Sequence, residues 1–291
     1  MSTKSMSVVA GLAGLALLAG AMVQAAGAAE ATGAAKSEKQ TLQIEGSTTV
    51  GPIAEAFAEA FMKMFSSLSI TVKATGSGDG AAALVDSRCQ IATMSRFMKP
   101  AEMTKAVEKG VLPCCHTIAM DGVCVVVHPS NPIKGLTRGQ LRGIYSGKVT
   151  NWKDVGGPDA PIVVISRDTS SGTYEVFNEK VMGKDAKMFD KVEYVNANPQ
   201  AHDRVKTTTG AIGYVGLGFL DENVKALTVD GVSPSRKTIS TGIYPISRPL
   251  FFFTNGFPEC GTMLHAFCTF FLTEKGQSII EAKGFIPLTS Y

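Results

Sequence analysis

The sequence predicts an α/β fold with a mostly parallel sheet covered by helices. Short apolar runs rich in β-branched residues alternate with stretches whose apolar residues recur at helical spacing. Three of those runs lead into turns of small polar residues and glycine that open a helix. A chain of 291 residues that is 45% apolar and 18% charged can also bury a substantial core.

The N-terminal stretch precedes that pattern. Lys4 is followed by a small and apolar run from Val8 to Val23 and by an Ala-rich stretch, Ala25 to Ala29, which predicts a cleaved export signal over 1–29. The run is shorter than the roughly 20 residues a spanning helix needs. Residues 30–41 carry no apolar period and read as a flexible lead-in. From Leu42, "LQIEG" reads as a strand and is followed by a helix with Ile53, Phe57, Phe61 and Phe65 at four-residue steps. "SITVKATG" is a second strand with a short helix from Ala81, and "PCCHTIAMDGVCVVVHP" is one or two more strands. Pro100 opens and Gly110 closes another helix. Thr137 and Gln140 form a capping box with Leu136 and Leu141 as a hydrophobic staple, and Gly147 follows the helix end. The C-terminal segment reads as a helix broken near Gly276 and resumed until Gly284.

Charge and composition exclude several classes. Twenty-eight basic residues nearly balance 25 acidic ones, and no block of like charge marks a nucleic-acid tract or a polybasic membrane arm. The six cysteines (Cys89, Cys114, Cys115, Cys124, Cys260 and Cys268) permit disulfides in an oxidising compartment, with fifteen connectivities open. Cys114, Cys115 and His116 are adjacent, but no repeated Cys-x-x-Cys or spaced His pair predicts a metal site. His116, His128, His202 and His265 fit no triad pattern, and Ser77 and Ser171 lack a Gly-x-Ser-x-Gly elbow, so no catalytic residue is assigned. "GYVGLG" follows no dinucleotide fingerprint, and no cofactor is implied. Tyr145 and Trp152, the only tryptophan, read as packing residues.

The chemistry sits in the three turns. "IEGSTTVGPIAEAF" offers Ser47, Thr48 and Thr49; "VKATGSGDGAAAL" offers Ser77; "VVISRDTSSGTYEVF" offers Arg167, Ser171, Gly172 and Thr173. A helix N-terminus presents unpaired N–H groups and the positive end of its dipole, and hydroxyls add donors that rotate to fit. Glycine admits close backbone approach, and arginine supplies a two-pronged donor matched to an oxyanion. Any one such turn is ordinarily a helix cap. Three together, one with an arginine that has no capping role, point to a tetrahedral oxyanion.

With these residues in view, the chain resembles the periplasmic phosphate-binding proteins of ABC transporters from roughly Leu42 to Pro287. Further matching segments are "IATMSRFMKP", "MDGVCVVVHPSNPI", "LTRGQLRGIYSGKVTNWKDVGG", "TTGAIGYVGLGFL" and "FFLTEKGQSIIEAKGFIPL". The most specific is Ser146 to Trp152, followed by the arginine and Ser-Gly-Thr turn. The resemblance implies a two-lobed type II (Venus-flytrap) protein with two hinge crossings near Asp121 and Ser247. Lobe 1 is then 42–120 plus 248–291, and lobe 2 is 121–247. It also implies a monomer, exported to the periplasm, that binds inorganic phosphate and delivers it to the permease subunits. Another oxyanion (sulfate, molybdate or tungstate) or a sensing role is the alternative. The implied ligand residues are Thr48, Thr49, Ser77, Ser95, Arg96, Arg167, Ser171, Gly172 and Thr173. Several family members carry a carboxylate where this chain has Arg96. Asp168 and Asp79 are the nearest replacement acceptors, unless selection against sulfate is weaker here; Arg96 is either a second ion-pair donor or a salt bridge within its lobe.

Overall fold

In the computed structural model, which describes residues 40–183 and 186–289, nearly every element begins at a signal visible in the sequence. The predicted export signal and most of the lead-in lie outside the described residues. Strand β1 (Gln40–Gly46) leads into α1 (Gly51–Met64), β2 (Leu68–Ala74) into α2 (Ser77–Val85), and β3 (Ile91–Met94) into α3 (Pro100–Glu108). The 15-residue β4 (Pro113–Val127) is a single strand. After it come β5 (Gly135–Leu136), α4 (Arg138–Tyr145), β6 (Val163–Arg167), α5 (Gly172–Phe177), β7 (Glu193–Val195), α6 (Asn198–Thr207) and β8 (Ala211–Gly216). The chain closes with β9 (Lys225–Ala226), β10 (Thr228–Val229), α7 (Arg236–Ser240), β11 (Ser247–Asn255), α8 (Met263–Thr269) and α9 (Glu274–Ala282).

The strands run in the order β2-β1-β3-β11-β4-β8-β6-β7, with β9 also on β4, while β5 and β10 form a separate pair. β1 pairs in parallel with β2 and β3, and β6 with β7 and β8. At the centre β11 is antiparallel to β3 and β4, and β4 is antiparallel to β8, so the sheet is mixed. The parallel pairing expected from strand–helix alternation therefore holds on the flanks. The centre departs from it because β4 and β11 belong to no βαβ unit and pair with each other over long sequence separation.

β4 serves both halves of the molecule. Its residues from Pro113 to Gly122 pair with β11, and those from Val123 onward pair with β8 and β9. One half is packed on Phe57, which meets Phe252, Phe267 and Phe270 edge to face. In the other half Tyr145, Trp152, Phe177 and Tyr214 are buried together, with Phe177 and Tyr214 stacked 4.1 Å apart. Tyr145 and Trp152 take the packing roles expected of them, and the Trp152 indole N–H donates to the Gly210 carbonyl.

Punctuation follows the sequence closely. The Thr137 hydroxyl accepts from Gln140 N while the Gln140 side chain accepts from Thr137 N. The C-terminal break falls elsewhere than expected: a short 3₁₀ turn at Phe270–Leu272 separates α8 from α9. Gly276 lies inside the first turn of α9, its N–H capped by Thr273 Oγ1, and it is glycine because a Cβ there would sit 2.1 Å from the Phe270 carbonyl oxygen. All six thiols are unpaired. Among the described residues no helix is long and apolar enough to cross a membrane.

Candidate functional site

Each polar turn stands at the end of a strand, where the backbone must leave the sheet, and the fold brings all three to one point. Ser47, Thr48, Thr49, Gly76, Ser77, Ser95, Arg167, Ser171, Gly172 and Thr173 line one small, tightly closed cavity. Its polar side chains are almost wholly buried; Arg167 is 1% exposed. The turns after β1 and β2 face the turn after β6, and the two sides touch. Gly78 N donates to the Ser170 carbonyl at 2.8 Å, and the Thr49 and Thr173 hydroxyls are 3.1 Å apart.

Arg167 ends β6, held from behind by the Tyr214 hydroxyl, which accepts from Arg167 N at 3.2 Å. Its Nε donates to Val195 O at 3.2 Å, and Nη2 donates to Asn196 O at 2.6 Å and to Thr48 Oγ1 at 3.1 Å. Nη1 is buried with no protein partner. Both of its hydrogens are thus available to an anion inside the site, where a buried unmatched donor is costly. Burial pulls the guanidinium down to about 10. A negative charge beside it would reverse that shift.

Glycine at 172 follows from close approach. A Cβ there would stand 2.4 Å from Ser77 Oγ and 2.6 Å from Ser95 Oγ, so any side chain would wedge the two sides apart. Ser171 caps α5, its hydroxyl accepting from both Thr173 N and Tyr174 N at 3.2 Å.

Eight of the nine residues singled out in the sequence line this cavity. The ninth, Arg96, does not. Its guanidinium grips Glu102 at 2.6 and 2.8 Å and donates to Phe97 O, a two-pronged ion pair inside its own half. The structure gives it the salt bridge, while its Nε is buried without a protein partner. Asp168 and Asp79 also lie outside the lining: Asp168 Oδ1 accepts from Ser170 N and Oγ, and Asp79 lies in the first turn of α2.

Three side chains behind the cavity escaped the sequence reading. Asn198 donates from Nδ2 to Thr48 Oγ1 (3.1 Å) and Thr49 Oγ1 (2.9 Å), while its Oδ1 accepts from Gly216 N. Arg248 donates to Thr49 and Thr173 and is paired at 2.7 Å with the wholly buried Asp121, whose Oδ1 accepts from Leu217 N. Asp121 and Arg248 are register partners on β4 and β11. Arg248 carried the same signal as Arg167, an arginine beside an apolar run, in "SRPLFFF".

A wider groove opens nearby, lined by Phe97, Lys99, Glu175, Glu179 and Phe251 among others. Arg96 and Arg248 also line it, but each is held by a carboxylate, Glu102 and Asp121, whereas the partners of Arg167 are carbonyls and a hydroxyl, so the small cavity is the better oxyanion site. Lys99 and Glu175 bridge its two walls at 2.6 Å.

Comparison with known proteins agrees with this geometry. A family model described as the PBP superfamily domain matches residues 26–275. The chain is 30% identical over 263 residues to the phosphate-binding protein PstS of Borreliella burgdorferi, covering 87% of this chain and 92% of that one. It is 32% identical over 260 residues to PstS of Bacillus subtilis, covering 88% and 84%. Among solved structures, a Clostridium perfringens protein assigned as a phosphate ABC transporter substrate-binding protein, with bound phosphate, superposes with a TM-score of 0.79 at 34% identity, covering 86% of this chain and all of that one. An ABC-type phosphate transport receptor from Vibrio cholerae gives 0.70 at 31%, covering 84% and 99%.

Proposed function

The chain belongs to the PBP superfamily, and from that premise we propose that it captures inorganic phosphate between two lobes and delivers it to an inner-membrane ABC permease. The observation that carries this reading is the buried, unpartnered Nη1 of Arg167 at a cavity otherwise lined by hydroxyls and glycine. Such a set of converging donors around one cation suits a small tetrahedral anion and offers nothing to an apolar ligand. There is no nucleophile–base pair in it, so recognition is non-covalent and the protein is a carrier, not an enzyme.

Lobe 1 is 42–120 with 248–291 and lobe 2 is 121–247, so the hinge passes through β4 and β11 beside the Asp121–Arg248 pair. The ligand residues are Thr48, Thr49, Ser77, Ser95, Arg167, Ser171, Gly172 and Thr173, drawn from both lobes. An anion touching both sides favours the closed arrangement by its differential affinity for it. The mature protein acts as a monomer in the periplasm after loss of its signal. Names of the relatives and the phosphate in the Clostridium perfringens structure support this reading.

Calorimetric titration of ligand-stripped protein with phosphate tests it. One saturable site per chain is expected; no heat with phosphate, arsenate, sulfate or molybdate would refute oxyanion capture.

A further inference from the structure

Arg248 lies behind the cavity and outside its lining, yet it is bonded to both sides of it. Its Nε hydrogen goes to Asp121 Oδ2 at 2.9 Å, and the two Nη2 hydrogens go to Thr49 Oγ1 at 3.3 Å and Thr173 Oγ1 at 3.1 Å. Thr49 belongs to the turn after β1 and Thr173 to the turn after β6, and their hydroxyls are themselves 3.1 Å apart. One side chain thus holds the contact at which the two sides of the cavity meet.

The base of that side chain is fixed. Asp121 and Arg248 are register partners on β4 and β11, and Asp121 Oδ1 accepts from Leu217 N at 2.8 Å. Paired core strands open far less readily than the loops at their ends. The Asp121–Arg248 pair therefore stays in place while the turns that carry Thr49 and Thr173 part or meet.

Stability is a poor reason for the pair. Arg248 is 3% exposed and Asp121 is wholly buried. A buried ion pair adds little over neutral groups that fill the same space, since both charges give up their water. Nη1 of Arg248 is also buried with no partner, which adds a further desolvation cost. The same burial pushes the Asp121 carboxyl up from its ordinary range despite the guanidinium beside it. What the pair positions is the better explanation of it.

We propose that Arg248 is a positioning residue that clasps the closed protein: it donates to Thr49 and Thr173 together only when the two sides have met, and so slows the release of phosphate without touching it. The inference rests on the reading of the chain as a two-lobed phosphate carrier. Arg167 and Asn198 also reach across to Thr48 and Thr49, but each from one side. Arg248 stands on the hinge strands, where Thr173 arrives on closing and departs on opening. In the open state the guanidinium keeps Asp121 and gives up Thr173. The lost bond acts on the lifetime of the closed state and not on the first encounter with phosphate.

The test measures the phosphate dissociation constant by calorimetry and the dissociation rate by chasing radiolabelled phosphate with unlabelled phosphate; the two together give the association rate. Wild-type mature protein is compared with Arg248→Lys and with the double variant Asp121→Asn/Arg248→Met. Lysine keeps the charge beside Asp121, but its ammonium is one atom shorter and lacks the fork, so it stops short of Thr173. The double variant removes both charges, which leaves the net charge and the long-range attraction for the anion as they were, and the asparagine oxygen still accepts from Leu217 N. In both variants release should quicken about tenfold, the worth of one hydrogen bond from a charged donor, while association stays within about twofold of wild type. The ligand-free double variant should unfold close to the wild-type midpoint, so the faster release is not a loss of fold. If Arg248→Lys does not fold, the double variant decides alone. Unchanged release in either folded variant, a loss of affinity taken mainly in association, or failure of both variants to fold would each overturn the clasp while leaving phosphate capture standing. Wild-type protein that binds no phosphate would overturn both.

Discussion

Replacing Arg167 with alanine removes the one cation that lines the cavity, and the structure sets the size of the loss. The guanidinium is anchored by Val195 O, Asn196 O and Thr48 Oγ1, which leaves Nη1 with two hydrogens for the anion. Two charge-assisted hydrogen bonds at about 1.5–3 kcal/mol each amount to roughly 3–6 kcal/mol. At 1.4 kcal/mol per decade, phosphate affinity should fall by about 10²–10⁴-fold. Arg167→Lys keeps the charge without the fork and should fall between wild type and Arg167→Ala. Ser171→Ala removes one donor and the cap of α5, worth about 1–2 kcal/mol, or about tenfold. Calorimetric titration of the four proteins under one buffer gives the series. Losses below about tenfold for Arg167→Ala, or equal losses for Arg167→Ala and Ser171→Ala, would refute the two-pronged role.

Other substitutions and pH probe the remaining parts. Gly172→Ala places a methyl against Ser77 and Ser95, so phosphate affinity should fall by at least about 10²-fold with little change in the unfolding midpoint of the ligand-free protein; solution scattering should show that phosphate no longer compacts the variant. Asn198→Ala leaves Gly216 N without its acceptor, and urea unfolding should show about 1–3 kcal/mol lost. Lys99→Ala breaks an ion pair that is partly open to water, so affinity should change by less than about fivefold and the difference should vanish at high salt. Arg167, pulled down to about 10 by burial, is charged below that pH. Its burial therefore opposes folding at neutral pH, a penalty that begins to lift near pH 10 and is gone only above the ordinary arginine range, whereas phosphate binding needs the charge. Affinity should be unaffected by this group between pH 8 and 9 and should fall as pH rises through about 10, a fall that calorimetry would show absent if Arg167 were not the ligand's partner.

Local grammar made the elements and the three turns legible, because strand ends, caps and glycines act over a few residues. Arg167 stood out as a charge after an apolar run with no capping duty. Asn198 did not, since in "NANPQ" it looks like an ordinary residue before a helix-opening proline, and its bonds to Thr48 and Thr49 reach back 150 and 149 residues. The Arg96–Glu102 pair spans six residues across a turn, outside the three- and four-residue spacings that mark ion pairs on a helix. The antiparallel centre of the sheet was hidden for a similar reason. Alternating strands and helices specify βα units but not which strands of distant units lie side by side, and β4 with β11 is a pairing of residues more than a hundred apart.

A crystal structure of the mature protein grown with phosphate tests the central claim most directly. The account predicts one phosphate per chain in the cavity between the turns, with an oxygen within hydrogen-bond distance of Arg167 Nη1 and others on Thr48, Ser171 and Thr173, and with the Lys99–Glu175 bridge intact. Phosphate held at another surface, or a cavity whose Arg167 Nη1 faces only protein or water in crystals saturated with the anion, would contradict it.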